Sequence, residues 1–176
     1  SEITIEIEKG KMLGIVGKTG AGKTTLLRQL LRQYPMGEGG FRYGDTDVSQ
    51  LGEQELQGLI GYVPQDHILF SRSVRENIAF GKDKATEEEI LESVRIASFA
   101  EDLKNMSEGL ETLVGEKGVS ISGGQKQRIS LARALIKDPE ILMLDDSLSA
   151  VDAKTEQNII ANIKENRSGK TTIIST

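Results

Sequence analysis

The stretch MLGIVGKTGAGKTTLLRQL, Met12 to Leu30, changes its periodicity halfway along. Met12 to Val16 is a short continuous apolar run, the pattern of a strand buried on both faces. From Gly22 to Gln33, Leu26, Leu27, Leu30 and Leu31 fall on one helical stripe, closed by Tyr34-Pro35. Between the two, Gly17-Lys18-Thr19-Gly20-Ala21-Gly22-Lys23-Thr24 fits G-x-x-x-x-G-K-[ST], with Thr25 following. The glycines let the backbone curl so that successive N–H groups point at phosphate oxygens. The start of the helix adds roughly half a positive charge. Lys23 is placed to reach the β- and γ-phosphates of a nucleotide, and Thr24 to offer its hydroxyl to Mg²⁺. The plain alternative is a glycine-rich turn with a stray lysine, and a buried strand before and a helix after argue against it.

Working outward, Ile3, Ile5 and Ile7 alternate with Thr4 and Glu6 as in a half-exposed strand. Further strands are expected at Phe41–Tyr43, Ile60–Val63, Ile141–Leu144 and Thr171–Ser175. From Ser73 to Lys137 the patterns are helical. Thr86 to Glu89 forms a capping box opening a helix with Ile90, Leu91, Val94 and Ala97 on one side. Another helix is expected from Gly123 to Lys137, with Ile129, Ala132, Leu135 and Ile136 inward, stopped by Asp138-Pro139. A helix carrying Ile159, Ile160 and Ile163 separates the last two strands. Short buried strands alternating with helices predict an α/β fold with a mainly parallel sheet covered on both faces. The expected division is a core over residues 1–65 and 138–176 with an inserted α-helical subdomain over 66–137.

Bulk composition narrows the classes. The 176 residues are 37% hydrophobic, enough for one domain, and the net charge of -5 with few aromatics gives no nucleic-acid-binding signature. There is no cysteine, so disulfides and thiolate metal sites are excluded. No apolar run approaches the ~20 residues of a membrane span, and no secretory signal is expected at the start.

Phosphate chemistry needs an acid to hold the metal. Ile141-Leu-Met-Leu144-Asp145 is a buried strand ending in a carboxylate, the Walker B pattern, well placed for Mg²⁺ at the carboxyl end of an open α/β sheet. Many strands end in Asp for turn reasons, and the preceding phosphate loop favours the metal reading. Ile121-Ser122-Gly123-Gly124-Gln125 reads equally as a capping box and as a helix start whose bare N–H groups suit a second phosphate.

Taken together, the sequence resembles the nucleotide-binding domain of an ABC transporter, a phosphate-loop NTPase with a RecA-like core. Ser122, Gly123, Gly124 and Gln125 match the LSGGQ-type signature, with Ile121 replacing the usual leucine. The resemblance implies that this signature closes over ATP held by a partner domain. Tyr62-Val-Pro-Gln65 resembles the Q-loop, where Gln65 would contact Mg²⁺ or the attacking water. Asp138-Pro139 sits at the family's proline loop. Ser149-Ala-Val-Asp152 resembles the D-loop, which communicates across the dimer. Leu113 to Gly118 looks like the X-loop of exporters. Asp66 to Ser71 and Val74 to Ile78 resemble the segment on which coupling helices of the membrane domain dock. The implied cofactors are ATP and Mg²⁺, with Thr24, Gln65 and Asp145 as metal ligands, partly through water. The implied partners are a second nucleotide-binding domain and transmembrane domains at the cytoplasmic face of the cell membrane. ABC ATPases of DNA repair and chromosome structure carry long coiled coils between phosphate loop and signature. Here only 56 residues (66–121) separate Gln65 from Ser122, without a heptad run.

The second carboxylate departs from the pattern. Family members usually carry Glu after the Walker B aspartate, to polarise the water that attacks the γ-phosphate. Asp146 falls short by about 1.5 Å. A displacement of about 1 Å costs on the order of 10²-fold in rate. The expectation is a site that binds well and hydrolyses slowly, as in the degenerate half of a heterodimeric exporter whose partner carries the Glu. The alternatives are a homodimer that tolerates Asp through a bridging water and a binding-only ATP sensor. The resemblance also implies a domain truncated at both ends. A switch histidine would follow the strand that ends at Thr176, and an adenine-stacking aromatic would precede Ser1. His67 is expected to be a surface or docking residue, and Tyr34 and Tyr43 are in the wrong place to replace the aromatic.

Overall fold

The computed structural model describes residues 4–35 and 37–176. In chain order the elements are β1 (Met12–Ile15), α1 (Lys23–Leu30), β2 (Arg42–Tyr43), β3 (Thr46–Asp47), α2 (Glu53–Leu59), β4 (Ile60–Val63), α3 (Val74–Ala79), α4 (Glu87–Ile96), α5 (Ala100–Asn105), α6 (Gly123–Leu135), β5 (Ile141–Asp145), α7 (Ala153–Asn166) and β6 (Thr171–Ser175). Among the described residues, β1, β6, β5 and β4 form a parallel sheet in that spatial order, and β2 and β3 pair as a separate antiparallel ribbon.

The central strand β5 shows why the sheet is covered on both faces. Its residues are all buried, and they alternate between two apolar clusters. Ile141 and Met143 join Leu27 of α1 and Leu56 of α2 on one side, whereas Leu142 and Leu144 join Ile129 of α6 and Ile159 of α7 on the other. Each such side chain contributes about 1.5–3 kcal/mol when fully removed from water. Helix α6 packs against β4 and also against α3 and α4, so one helix joins the sheet to the helical middle of the chain. Both expected capping boxes are present: Thr86 accepts from Glu89 N, and Ser122 accepts from Gln125 N.

Several expectations change. Residues Thr4 to Ile7 form no strand, because alternation alone makes no ladder without a neighbouring strand to pair with; Ile3 lies outside the described residues. Strand β1 is not buried on both faces: Gly14 is exposed and its other residues are half-buried, among the described residues it pairs only with β6, and Val16 beyond it is 84% exposed. Helix α1 ends at Leu30 rather than Gln33, since Arg32 turns left-handed at φ 56°, and of the leucine stripe only Leu27 is fully buried. Leu91 of α4 faces outward. Helix α6 stops at Leu135, two residues early, with Ile136 still buried. Helix α2 and strand β3 were not foreseen.

Candidate nucleotide site

The phosphate loop lies between the end of β1 and the start of α1, at the carboxyl end of the sheet. Gly20 and Gly22 adopt φ 83° and 92°, a left-handed backbone that side chains rarely tolerate. No side chain caps the N-terminus of α1, so its first amides stay available to an anion. Lys23 Nζ donates to the carbonyls of Gly17 (2.6 Å) and Lys18 (3.1 Å), which folds the lysine over the concave side of its own loop.

Asp145 ends β5 and is 1% exposed. Its Oδ1 accepts from Thr24 Oγ1 at 3.0 Å and from Ser175 Oγ at 2.8 Å, and its Oδ2 accepts from Tyr62 OH at 2.8 Å. A buried carboxylate surrounded by hydroxyls rather than by a cation fits a hard divalent ion, which prefers oxygen donors. No cluster of three or more His, Cys, Asp or Glu side chains occurs among the described residues. That donor set suits Mg²⁺, which uses one or two carboxylates and completes its shell with water and substrate phosphates. Tyr62 opens the segment that resembles the Q-loop, but the sequence assigned a role there to Gln65 alone. Burial, followed by the bond to Asp145, pushes its phenol up to about 12, so it stays a proton donor to that carboxylate at any ordinary pH.

Asp146 adopts a left-handed backbone at φ 47°. Its amide donates to Ser175 O at 3.0 Å, and its Oδ2 accepts from Gln65 Nε2 at 3.2 Å. The structure thus brings Gln65, Thr24, Asp145 and Asp146 to one end of the sheet. Asp152 sits apart as the N-cap of α7, accepting from the amide and hydroxyl of Thr155 at 2.9 and 2.7 Å; these bonds, the hydroxyl foremost, hold its carboxyl below the ordinary value.

Among the described residues no hydrogen bond joins the Ser122–Gln125 segment to residues 17–25. Its capping box is complete, and Gln125 Nε2 also donates to Asp102 Oδ1 at 3.0 Å. Arg128 pairs with the same Asp102 at 2.5 Å and lies over the Phe99 ring. Residues 113–118 pack directly on the segment after Gln65: Val114 N donates to Arg72 O at 3.0 Å, and a side chain on Gly115 would meet Phe70 O at 2.8 Å. His67, expected as a surface or docking residue, is half-buried rather than fully at the surface. Both ring nitrogens are buried without a hydrogen-bond partner, and burial holds its pKa below the ordinary value. Tyr34 accepts from Arg28 at 3.0 Å and Tyr43 donates to Glu140 at 3.2 Å, so both phenols are engaged elsewhere.

The ABC transporter family model matches residues 1–149. The chain belongs to the ABC transporter family. Among its relatives, the probable multidrug resistance ABC transporter ATP-binding/permease protein YheI of Bacillus subtilis is 59% identical over 175 residues, 99% of this chain and 30% of that protein. The multidrug resistance-like ATP-binding protein MdlA of Escherichia coli is 44% identical over 173 residues, 98% of this chain and 29% of that protein. A solved structure of a bacterial Atm1-family ABC exporter with ATP bound superimposes with a TM-score of 0.90 at 38% identity, covering 96% of this chain and 30% of that one. The likeness is therefore to the nucleotide-binding domain of ABC exporters, and the fold is the α/β fold of ABC ATPases. The chain spans about 30% of the length of these relatives.

Proposed function

We propose that this chain binds MgATP and hydrolyses it to power export of a substrate across a membrane. The observation that carries the reading is the hydrogen bond from Thr24 of the phosphate loop to Asp145, with Gln65 and Asp146 joined beside it. Residues 17–25 hold the phosphates: backbone amides and the α1 N-terminus surround them, and Lys23 turns from its loop carbonyls to the β- and γ-oxygens. Thr24, Asp145 and Gln65 hold Mg²⁺, in part through water. When bound, the ion neutralises charge on the phosphoryl oxygens. Asp146 orients the attacking water and accepts its proton, and Gln65 fixes the carboxylate that does so.

Residues 122–125 complete a site on a second nucleotide-binding domain, in a head-to-tail pair formed by ATP and released by hydrolysis. The helical segment 66–137 carries this signature, and Asp152 belongs to the loop that faces the partner. The membrane domains dock on the segment after Gln65. There Ile68 and Phe80 are 72% and 71% exposed, and the Phe70 ring packs tilted, at 54°, against Phe80 with centroids 4.8 Å apart. That surface lies at the cytoplasmic face of the membrane. No helix among the described residues is long and apolar enough to cross it.

The short Asp146 makes this site the slow one of an unequal pair, and we infer a partner subunit with Glu at the matching position. Single-turnover hydrolysis of MgATP, measured in the longer protein that carries this domain, tests the reading with Asp146→Glu. Restoring about 1.5 Å of reach is expected to raise the rate tenfold to a hundredfold. An active wild type with no gain points to a bridging water and a homodimer. MgATP binding without turnover in either protein favours a regulatory module.

A further inference from the structure

The signature helix and the D-loop are fastened to each other within this one chain by Gln127, a residue outside both motifs. Gln127 is 2% exposed, and its amide is used at both ends. Its Oε1 accepts from Ala150 N at 2.9 Å, and its Nε2 donates to Ser149 Oγ at 3.2 Å. Ser149 Oγ in turn donates to the carbonyl of Asp146 at 3.1 Å. An unbroken polar path therefore runs from α6 through Ser149 to the backbone of the carboxylate residue in this chain's own site.

Packing closes the same joint. A side chain on Gly124 would meet the Ala150 carbonyl at 2.8 Å and Val151 Cγ1 at 3.5 Å. The second glycine of the signature thus lets the D-loop lie against the helix, a task separate from baring amides to a phosphate. The backbone that this path reaches is unusual: Asp146 is a non-glycine residue held left-handed, with its amide fixed by Ser175 and its carbonyl by Ser149. Through these bonds a shift of Asp146 would be passed to its carbonyl, the D-loop and the start of α6 together.

The geometry points to Gln127 as a positioning residue that makes the signature helix and the D-loop one moving unit, so that nucleotide at this chain's phosphate loop sets the posture of the signature it offers its partner. This rests on the nucleotide reading above and adds a regulatory link to it. Hydrogen exchange of the 176-residue chain with and without a non-hydrolysable Mg–ATP analogue tests it, alongside the analogue's Kd. In the wild type, the analogue is expected to change exchange of the 122–127 amides together with those of 146–151. In Gln127→Met, which keeps the length but loses both bonds, the Kd stays within about twofold and the change at 122–127 falls at least fivefold. Ser149→Ala, at an exposed position, is expected to weaken the transmitted change in the same way and serves if Gln127→Met does not fold. A lesser packing role for Gln127 would raise baseline exchange without removing the nucleotide-dependent difference. Equal transmission in wild type and both variants would overturn the proposal, as would a wild type that binds the analogue and leaves 122–127 unchanged. A wild type that binds no analogue at all would refute the nucleotide reading and this inference with it.

Discussion

Tyr62→Phe isolates one bond at the buried carboxylate. The ring stays in place and only the hydroxyl that donates to Asp145 Oδ2 at 2.8 Å is removed. Hydrogen bonds to charged groups contribute about 1.5–3 kcal/mol net. Asp145 is 1% exposed, so water is poorly placed to replace the donor, while Thr24 and Ser175 continue to serve the other oxygen. The expected loss is about 2 kcal/mol. With a urea slope of about 2 kcal/mol/M, the midpoint should fall by roughly 1 M at unchanged slope. The same substitution in an Asp145→Asn background removes a bond to a neutral acceptor and should cost about 1 kcal/mol. The difference between the two backgrounds is the charge-dependent part of the interaction. Equilibrium urea unfolding without nucleotide or Mg²⁺ measures both. A cost below about 0.5 kcal/mol in the wild-type background, or equal costs in the two, would show that Tyr62 does not support the charged carboxylate.

Asn77 is fully buried, and its amide accepts from Phe70 N at 2.9 Å and from Arg133 Nη2 at 2.8 Å while donating to the carbonyls of Phe70 and Ser73 at 3.0 Å. Asn77→Ala leaves several of these groups without partners and is expected to lower urea stability by about 3 kcal/mol, with proteolysis appearing first between residues 66 and 73. A loss under about 1 kcal/mol would mean that water takes over the bonds. His67 supplies a pH test: burial lowers its folded pKa below the ordinary 6.5, so the unfolded chain takes up the proton first. Its contribution is complete above pH 6.5 and is lost as pH falls from there toward the folded value. His67→Leu should flatten the pH dependence of the urea midpoint in that window, and an unchanged slope would refute the assignment.

The parts of the fold that were legible in the sequence are those in which local chemistry and burial agree. Ile60–Val63 and Thr171–Ser175 read correctly as strands because each is flanked by other strands or pairs with the central one, so burial leaves an apolar or β-branched run. Thr86 and Ser122 mark their helix starts because capping is decided within four residues. Helix α2 was illegible because Leu56 is its only buried residue and Gly58 lies within it. Residues 4–7 carry a strand pattern, yet pairing depends on a neighbour that local alternation does not reveal. The site divides in the same way. The phosphate loop is a contiguous backbone shape, readable from glycine spacing. Tyr62 meets Asp145 across 83 residues of chain, through the pairing of β4 with β5, and no short motif encodes that contact.

Strand β1 has a colloidal consequence. It lies at the margin of the sheet, four residues long, and its ladder among the described residues is made with β6 alone. A strand margin of this kind presents backbone donors and acceptors to any other chain that can lie alongside. Val16 follows β1 at 84% exposure, which adds apolar surface at the end of the same strand. Concentrating the 176-residue chain should therefore produce slow self-association that ignores nucleotide. Pairing driven by ATP has to be counted above that background, at matched concentration, as the fraction that disappears when Mg²⁺ is withdrawn.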